Sequence, residues 1–374
     1  MVTSHPAVKY PVKVGLIYGC APSGHYSAAR ALADFFPEAI IEPVFINLAE
    51  VYPNLGPMIA KTYIEVLKKT PFLWNCLYDN DFITFASGVF KSNIFPLYHQ
   101  KLSALLKEKN IGAVISTQAF SAVLTANNPA LKNTPLFAVL TDFRAHSHWP
   151  AKNFEAYFVP SKAAATSLEK NGADPSKIFL SGIPVRKEFL IPRDARRERE
   201  ALGLSPGLFT ALLTGGSHGM GEIFSAIEAI EPFFGKLQAI VMCGENKSLA
   251  RKLARKTAGC RHIKILDYTA SPSVLYAAAD LVIAKPGGVT VAETLSLEKP
   301  LIIFSPLPGQ EELNTSFLLK HNAAELAKTS LQLRAMVKRR LESVRRCEKT
   351  SSPLSKPYAA RDIVATIVEK IIAN

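Results

Sequence analysis

The chain has 374 residues, enough for two domains of ordinary size, and 48% of them are hydrophobic, which excludes wholesale disorder. The formal net charge is +13, so an anionic partner is expected: a phosphorylated ligand, an acidic membrane surface or a nucleic acid. The five cysteines (Cys20, Cys76, Cys243, Cys260, Cys347) are scattered without C-x-x-C spacing, which speaks against a metal site or disulfide framework and for a reducing compartment.

Val12 to Tyr18 is a β-branched apolar run and predicts a first strand, and Tyr26 to Phe36 predicts a helix. Between them stands Gly19-Cys-Ala-Pro-Ser23-Gly24-His25, a glycine-containing turn where strand gives way to helix. Pro-Ser-Gly-His after the apolar run is no cleavage site, so no signal peptide is expected. No uncharged apolar run reaches the roughly 18 residues of a membrane span, so the protein should be soluble or peripheral. His25 is either a solvent-facing residue at a helix start or a functional group; a helix N-terminus there would disfavour imidazolium. The stretch from Tyr52 to Lys109 carries Tyr63, Phe72, Trp74, Tyr78 and Tyr98 with Lys61, Lys68, Lys69, Lys91 and Lys101 among them. Rings and lysines together suit a surface at lipid-headgroup level; the alternative is two core helices and a loop.

Ala113 to Ser116, Leu136 to Leu140, Tyr157 to Pro160 and Ile178 to Gly182 predict further strands, and Lys162 to Asn171 a helix. After the second of these strands comes Thr141-Asp142-Phe-Arg-Ala-His146-Ser-His148-Trp149. Two histidines without H-E-x-x-H spacing do not make a zinc site. Polar Pro192 to Glu200 reads as a linker or a solvated first helix.

The pattern then restarts: strand Thr210 to Leu213, turn Thr214-Gly215-Gly216-Ser217, helix Gly221 to Ile230, strand Ala239 to Met242. Gly216-Ser-His-Gly219-Met-Gly221 lacks the glycine spacing of the dinucleotide fingerprint. It could still offer N–H groups to a diphosphate. Cys243-Gly244-Glu245-Asn246 follows the next strand, and Ile263 to Asp267 leads to Tyr268. Asp280 to Ala284, Lys285-Pro286-Gly287-Gly288, Thr290 to Leu297 and Leu301 to Phe304 form one strand-turn-helix-strand unit, with Pro306 to Glu311 as a polar loop behind it. Bare glycine backbone at a helix start lets a phosphate approach free N–H groups. Bland readings stand beside this: Thr290 and Glu293 as a capping box, Gln310 and Glu311 answering a helix dipole, Lys285 as a solvated charge. A break rich in Ser and Pro from Ser351 to Pro357 precedes a last amphipathic helix, Tyr358 to Ile372.

The order K-P-G-G-x-T-x-x-E, then P-x-P-G-Q-E-E, resembles the donor site of the glycosyltransferases typified by monogalactosyldiacylglycerol synthase and the processive diacylglycerol glucosyltransferases, family 28. The peptidoglycan N-acetylglucosaminyltransferases are more distant. The resemblance implies that Gly287, Gly288, Val289 and Thr290 face a UDP diphosphate, with Lys285 nearby. It implies that Glu293 holds the ribose and that Gln310 and Glu311 hold the donor sugar. Gly215, Gly216, Ser217, Asn246 and Tyr268 join the donor site by the same likeness. The family's G-G-G-H-x-x-A is matched by Ser23-Gly24-His25-Tyr-Ser-Ala28 without the first two glycines, which makes His25 the implied catalytic base, with Asp142 the next candidate. The T-D-x-x-x-H-x-x-W match puts His146 and Trp149 on the acceptor side with Ser23 and Gly24. Trp74 falls in a Pro71-x-x-Trp74-x-x-x-Tyr78 spacing also similar to the family, as acceptor or membrane contact. Gly182-Ile-Pro-Val-Arg186 matches the end of the family's N-terminal domain.

The fold so implied is α/β, of the GT-B kind: two Rossmann-like parallel-sheet domains facing an interdomain cleft. Residues 1–185 would face acceptor and membrane, 186–352 would bind the UDP-sugar, and 353–374 would form a helix that could pack back on the first domain. The implied reaction moves a hexose from UDP-glucose or UDP-galactose to diacylglycerol or a related lipid, inverting and metal-independent, at the cytoplasmic face of the membrane. The UDP-sugar is a co-substrate, and no cofactor or metal is expected, since no D-x-D follows a strand. Without zinc-finger spacing or an RNP signature, nucleic acid is the weakest partner and is not expected. The alternatives are a UDP-N-acetylglucosamine transferase on a polyprenyl-linked acceptor, a UDP-sugar epimerase or hydrolase on the same scaffold, and a non-enzymatic binding protein.

Overall fold

The computed structural model describes residues 11–53, 98–145, 149, 152–342 and 352–373. Trp74 and His146, with most of the aromatic and lysine-rich stretch, lie outside the described residues. The chain divides into two units. One holds the residues up to Ala21, His25–Pro184 and the stretch from Tyr358; the other holds Val185–Pro357 with Pro22–Gly24.

In the first unit the strands are β1 (Val12–Tyr18), β2 (Ile41–Asn47), β3 (Ala113–Ser116), β4 (Leu136–Val139), β5 (Ala156–Val159) and β6 (Ile178–Leu180). They lie in the order β2-β1-β3-β4-β5-β6, every pair parallel. Parallel sheets are covered on both faces, so their strands read as unbroken apolar runs. That is the pattern of β4 and β5, where each residue is buried. Pro43 sits mid-strand in β2, opposite Val14. A proline gives the ladder no N–H, and β2 accommodates it at the end of the strand order. One face of the sheet packs Val14, Leu16, Ile115, Phe137, Val139 and Phe158 against Ile363, Val364, Ile367 and Ile371 of the helix Ala359–Ala373. Full burial of each such aliphatic side chain contributes about 1.5–3 kcal/mol, so this helix is a major stabiliser of a sheet whose last strand ends at Leu180.

The second unit has β7 (Phe209–Thr214), β8 (Leu237–Met242), β9 (Ile263–Leu266), β10 (Leu281–Ala284), β11 (Leu301–Phe304) and β12 (Glu325–Ala327). The order is β12-β11-β10-β7-β8-β9, again all parallel. In each unit the order reverses beside the unit's first strand: between β1 and β3, and between β7 and β10. Ligands of open parallel sheets bind at such switch points, outside the strand carboxyl ends.

Of the two readings of residues 192–200, the solvated first helix of the second unit is the one present, Ala195–Ala201, and it departs from that reading at one residue. The helix Ala195–Ala201 buries Arg199. Its Nε donates to the Ala278 carbonyl at 2.7 Å, and Nη1 donates to the carbonyls of Pro206 and Leu208 at 3.1 Å each. Nη2 lies 2.7 Å from Asp280 Oδ2, which also accepts the Thr210 N–H at 2.8 Å. The buried charge is fully partnered, and it fixes this helix to the start of β7 and the approach to β10.

Candidate functional site

His25 is the second residue of the helix Gly24–Ala33, which begins just beyond the carboxyl end of β1. Its Nδ1 lies 2.8 Å from the carbonyl of Thr117, in the turn after β3, and 3.2 Å from Thr141 Oγ1, just after β4. Thr117 Oγ1 donates back to the His25 carbonyl at 3.0 Å. Three strand-end loops thus meet on one ring at the switch point. A carbonyl oxygen only accepts, so Nδ1 carries the hydrogen, and the neutral ring presents its lone pair at Nε2. Part of the residue stays accessible although the ring is densely surrounded. Burial lowers its pKa below the ordinary histidine value, against the opposing charge of Asp142 and the Thr117 carbonyl. The ring is therefore neutral near pH 7, through burial rather than through the helix N-terminus alone. Thr117 escaped sequence reading; its one signal was its place at a strand's carboxyl end. Ser23 is half-buried and Gly24 exposed. Trp149 is 8% exposed and packs in the apolar core with Leu140, Phe154 and Tyr157.

In the second unit, the loops after β7 and β8 are knitted together. Asn246 Nδ2 donates to the Gly219 carbonyl at 3.2 Å, and the Glu245 N–H to the Ser217 carbonyl at 2.8 Å. Asn246 Oδ1 also caps the helix Lys247–Lys256 by accepting the Leu249 N–H. A Cβ at Gly219 would stand 2.0 Å from the Cys243 carbonyl oxygen, and φ there is +56°, so this glycine is demanded by the crossing of the loops. Gly287 differs. Its φ of −61° and ψ of 132° suit any residue, and an added Cβ would meet only Thr290 Oγ1, at 3.9 Å. Nothing in the fold requires glycine at 287. Gly215 belongs to the crossing, since a Cβ there would meet the Met220 carbonyl, whereas one at Gly216 would touch only Lys285 Cε, at 3.7 Å. A small hollow at the switch point is lined by Thr214, Gly221, Glu222, Ala284, Lys285 and Phe304.

Lys285 is not a solvated charge. Its Nζ is ion-paired with Glu311 Oε1, and both side chains are mostly buried. Glu311 Oε2 accepts the Leu307 N–H at 2.9 Å. The capping role at the helix Gln310–Lys320 falls to Glu312, which accepts the Gly309 N–H at 3.3 Å. Buried Asn314 ties that helix to the glycine turn by donating to the Pro286 carbonyl at 3.1 Å. Gln310 is the first residue of the helix, and Tyr268 is 46% exposed beyond β9.

The capping-box reading of Glu293 is also corrected. The helix runs Gly288–Ser296 with Gly287 at its N-cap, so Thr290 lies inside it and Val289 and Glu293 are buried. Glu293 sits beside Tyr276 of the helix Ser273–Ala278, whose hydroxyl falls short of a well-formed hydrogen bond by geometry. Burial, then the charge of Glu188, push the Glu293 carboxyl up to about 8, against Tyr276 and Arg186. Glu188 in turn accepts from Ser273 Oγ at 3.1 Å and pairs with Arg186 at 3.2 Å. Glu188 and Tyr276 had no signal in the sequence, and Arg186 stood out only as the end of a matched motif, because their neighbour is about 100 residues or one helix away. Among the described residues no group of three or more His, Cys, Asp or Glu side chains could hold a metal ion, and no helix is long and apolar enough to cross a membrane.

Two parallel-sheet units, one with a tautomer-fixed histidine at its switch point and the other with glycine turns and a buried glutamate, define an α/β protein of the GT-B class. Residues 25–185 match monogalactosyldiacylglycerol (MGDG) synthase, and residues 210–357 match the glycosyltransferase family 28 C-terminal domain. The chain belongs to the monogalactosyldiacylglycerol synthase and diacylglycerol glucosyltransferase family. It is 26% identical over 307 residues to a processive diacylglycerol beta-glucosyltransferase of Bacillus pumilus, a match covering 81% of this chain and 79% of that protein. Its match to the enzyme of the same description from Bacillus cytotoxicus is 25% identical over 373 residues and covers 97% and 95%. In fold it is similar to S. aureus MnaA in a co-structure with UDP: TM-score 0.64, 13% identity, 97% and 98% of the two chains.

Proposed function

We propose that this glycosyltransferase moves a hexose from UDP-glucose or UDP-galactose to diacylglycerol or a related membrane lipid, with inversion at the sugar and without a metal ion. It would work as a peripheral enzyme at the cytoplasmic face of the membrane. The observation that carries the reading is His25, a neutral imidazole whose Nδ1–H is committed to the Thr117 carbonyl, leaving Nε2 to accept a proton. The acceptor hydroxyl oxygen attacks the anomeric carbon while its proton passes to Nε2. The bond from that carbon to the β-phosphate oxygen breaks, and UDP leaves with the electron pair. Attack opposite the leaving group inverts the centre, in keeping with relatives named as beta-glucosyltransferases.

The donor reading is supported by Gly287, where the fold does not ask for glycine but a close-lying phosphate would. The free N–H groups at the start of the helix Gly288–Ser296 then meet the charge that builds on UDP, as a divalent cation would elsewhere. Glu293 would hold the ribose, and Gln310 with Glu311 the sugar. The test is incubation with radiolabelled UDP-glucose or UDP-galactose and diacylglycerol vesicles, followed by chromatography of the lipid phase. Label should enter the lipid from one donor or both, in the presence of EDTA as in its absence. No labelled lipid from either donor refutes the acceptor assignment, and loss in EDTA restored by magnesium or manganese refutes metal independence.

A further inference from the structure

The helix Lys247–Lys256 carries the most one-sided charge in the second unit. From Lys247 to Leu266 the chain has seven Lys or Arg and no Asp or Glu. Leu249, Ala250, Leu253 and Thr257 form the stripe that faces the core. At 100° per residue, Arg251 and Arg255 point away from that stripe, with Lys247 and Lys252 at their flanks and only Ser248 between. All four basic residues are exposed, and none forms an ion pair among the described residues. Lys256 alone, turned back toward the core, is paired, with Glu228 at 3.1 Å and Glu231 at 3.5 Å.

This arrangement weakens the helix. Lys247–Arg251, Arg251–Arg255 and Lys252–Lys256 are like-charge pairs at i,i+4, each mildly destabilising. A solvated helix face is ordinarily a mixture of signs, which removes that repulsion. Here the outer face is basic and free of large apolar or acidic groups, and the following turn and β9 add Arg261 and Lys264.

We propose that the outer face of the helix Lys247–Lys256 docks on an anionic lipid surface, bringing the second unit to the bilayer that holds the acceptor. The occupant is a membrane rather than a nucleic acid because no aromatic side chain interleaves the basic residues and because a lipid acceptor lies in a bilayer; in that the proposal rests on the function proposed above. Headgroup charge would quench the repulsion along the helix, and each basic residue near such a surface strengthens binding roughly fivefold at low salt.

The experiment compares wild type with the triple variant Arg251→Gln/Lys252→Gln/Arg255→Gln and with a control that loses the same charge elsewhere, Arg196→Gln/Arg197→Gln/Lys320→Gln. Glutamine keeps helix propensity, so the test variant should melt no lower than wild type. Binding to phosphatidylcholine vesicles with and without phosphatidylglycerol is read by co-sedimentation. The test variant should bind the anionic vesicles at least tenfold more weakly, and the control within threefold of wild type. UDP affinity, and transfer to detergent-dispersed diacylglycerol, should match wild type in both. Wild-type vesicle binding by the test variant, or an equal loss in the control, overturns the proposal. So does a preference of the wild type for duplex DNA over anionic vesicles that disappears in the test variant. If the protein transfers no sugar to diacylglycerol but the helix still directs vesicle binding, the acceptor assignment falls and the docking face stands.

Discussion

Replacing Glu293 by glutamine should make the protein more stable and less able to hold its donor. The carboxyl titrates near 4.5 in an unfolded chain and at about 8 in the folded one. Between those values the folded state keeps a proton that the unfolded state has released, so stability falls as pH rises from 4.5 to 8 and is level beyond. At about 1.36 kcal/mol per unit, the cost at pH 7 is about 3 kcal/mol relative to pH 4.5, and it approaches about 5 kcal/mol above pH 8. Glutamine matches the protonated acid in shape and has no proton to lose. Urea unfolding followed by far-ultraviolet circular dichroism should show Glu293→Gln gaining on wild type as pH is raised, with little difference at pH 4.5. Tryptophan fluorescence would not serve, since both tryptophans, Trp74 and Trp149, lie outside the second unit. Calorimetry at pH 8 should show UDP affinity reduced by about 1.5–3 kcal/mol, the worth of a charged hydrogen bond. A stability gap that does not widen between pH 5 and 9 would refute the protonated buried carboxyl. Unchanged UDP affinity would remove Glu293 from the donor site. A gap that widens with pH together with weaker UDP binding would make Glu293 a case of stability given up for binding.

His25→Ala should lower kcat by about 10²–10⁴-fold with UDP affinity nearly unchanged, measured by radiolabel transfer and calorimetry; near-normal transfer by a folded variant would pass the role to Asp142. Lys285→Met should weaken UDP-sugar binding but not UDP binding, because it releases Glu311 and leaves the glycine turn in place; equal losses for both ligands would show that Lys285 serves the diphosphate instead. Asp280→Ala should cost about 3–5 kcal/mol in urea unfolding, since it strands the buried Arg199 charge; a loss under about 1 kcal/mol would mean that the surrounding carbonyls suffice for that guanidinium.

How much of this was legible in the sequence depends on the range of the interaction. The strands Val12–Tyr18, Ala113–Ser116 and Leu301–Phe304 have the bounds their apolar runs suggest, because burial on both faces of a parallel sheet is written locally. β2 was not, since Pro43 breaks the pattern and only its edge position explains it. Nor was the helix Lys247–Lys256, although Leu249, Ala250 and Leu253 give it a helical period, because its many basic residues make it read as polar. Thr290 and Glu293 have the spacing of a capping box, yet the helix starts two residues earlier, at Gly288, and that rotates Glu293 into the core against Tyr276. Arg199 looked solvated because Asp280 and the Ala278 carbonyl are some 80 residues downstream. His25 was placed by resemblance, but the Thr117 carbonyl that fixes its tautomer comes from a strand end 92 residues away. Local pattern sets the elements; the protonation states depend on partners that only the topology brings together.

The helix Ala359–Ala373 also sets an order of events in biosynthesis. The sheet of the first unit is complete by Leu180, but one face of it is covered by Ile363, Val364, Ile367 and Ile371. A ribosome therefore finishes every residue of the second unit, through Pro357, before the segment that seals the first has been made. During that interval Leu16, Ile115 and Phe137 lack their apolar cover, and the later-made unit is the one free to mature first. Translation that stops anywhere between the two units and residue 359 releases a chain whose earliest-made sheet is still open, a substrate for holding chaperones or for proteolysis.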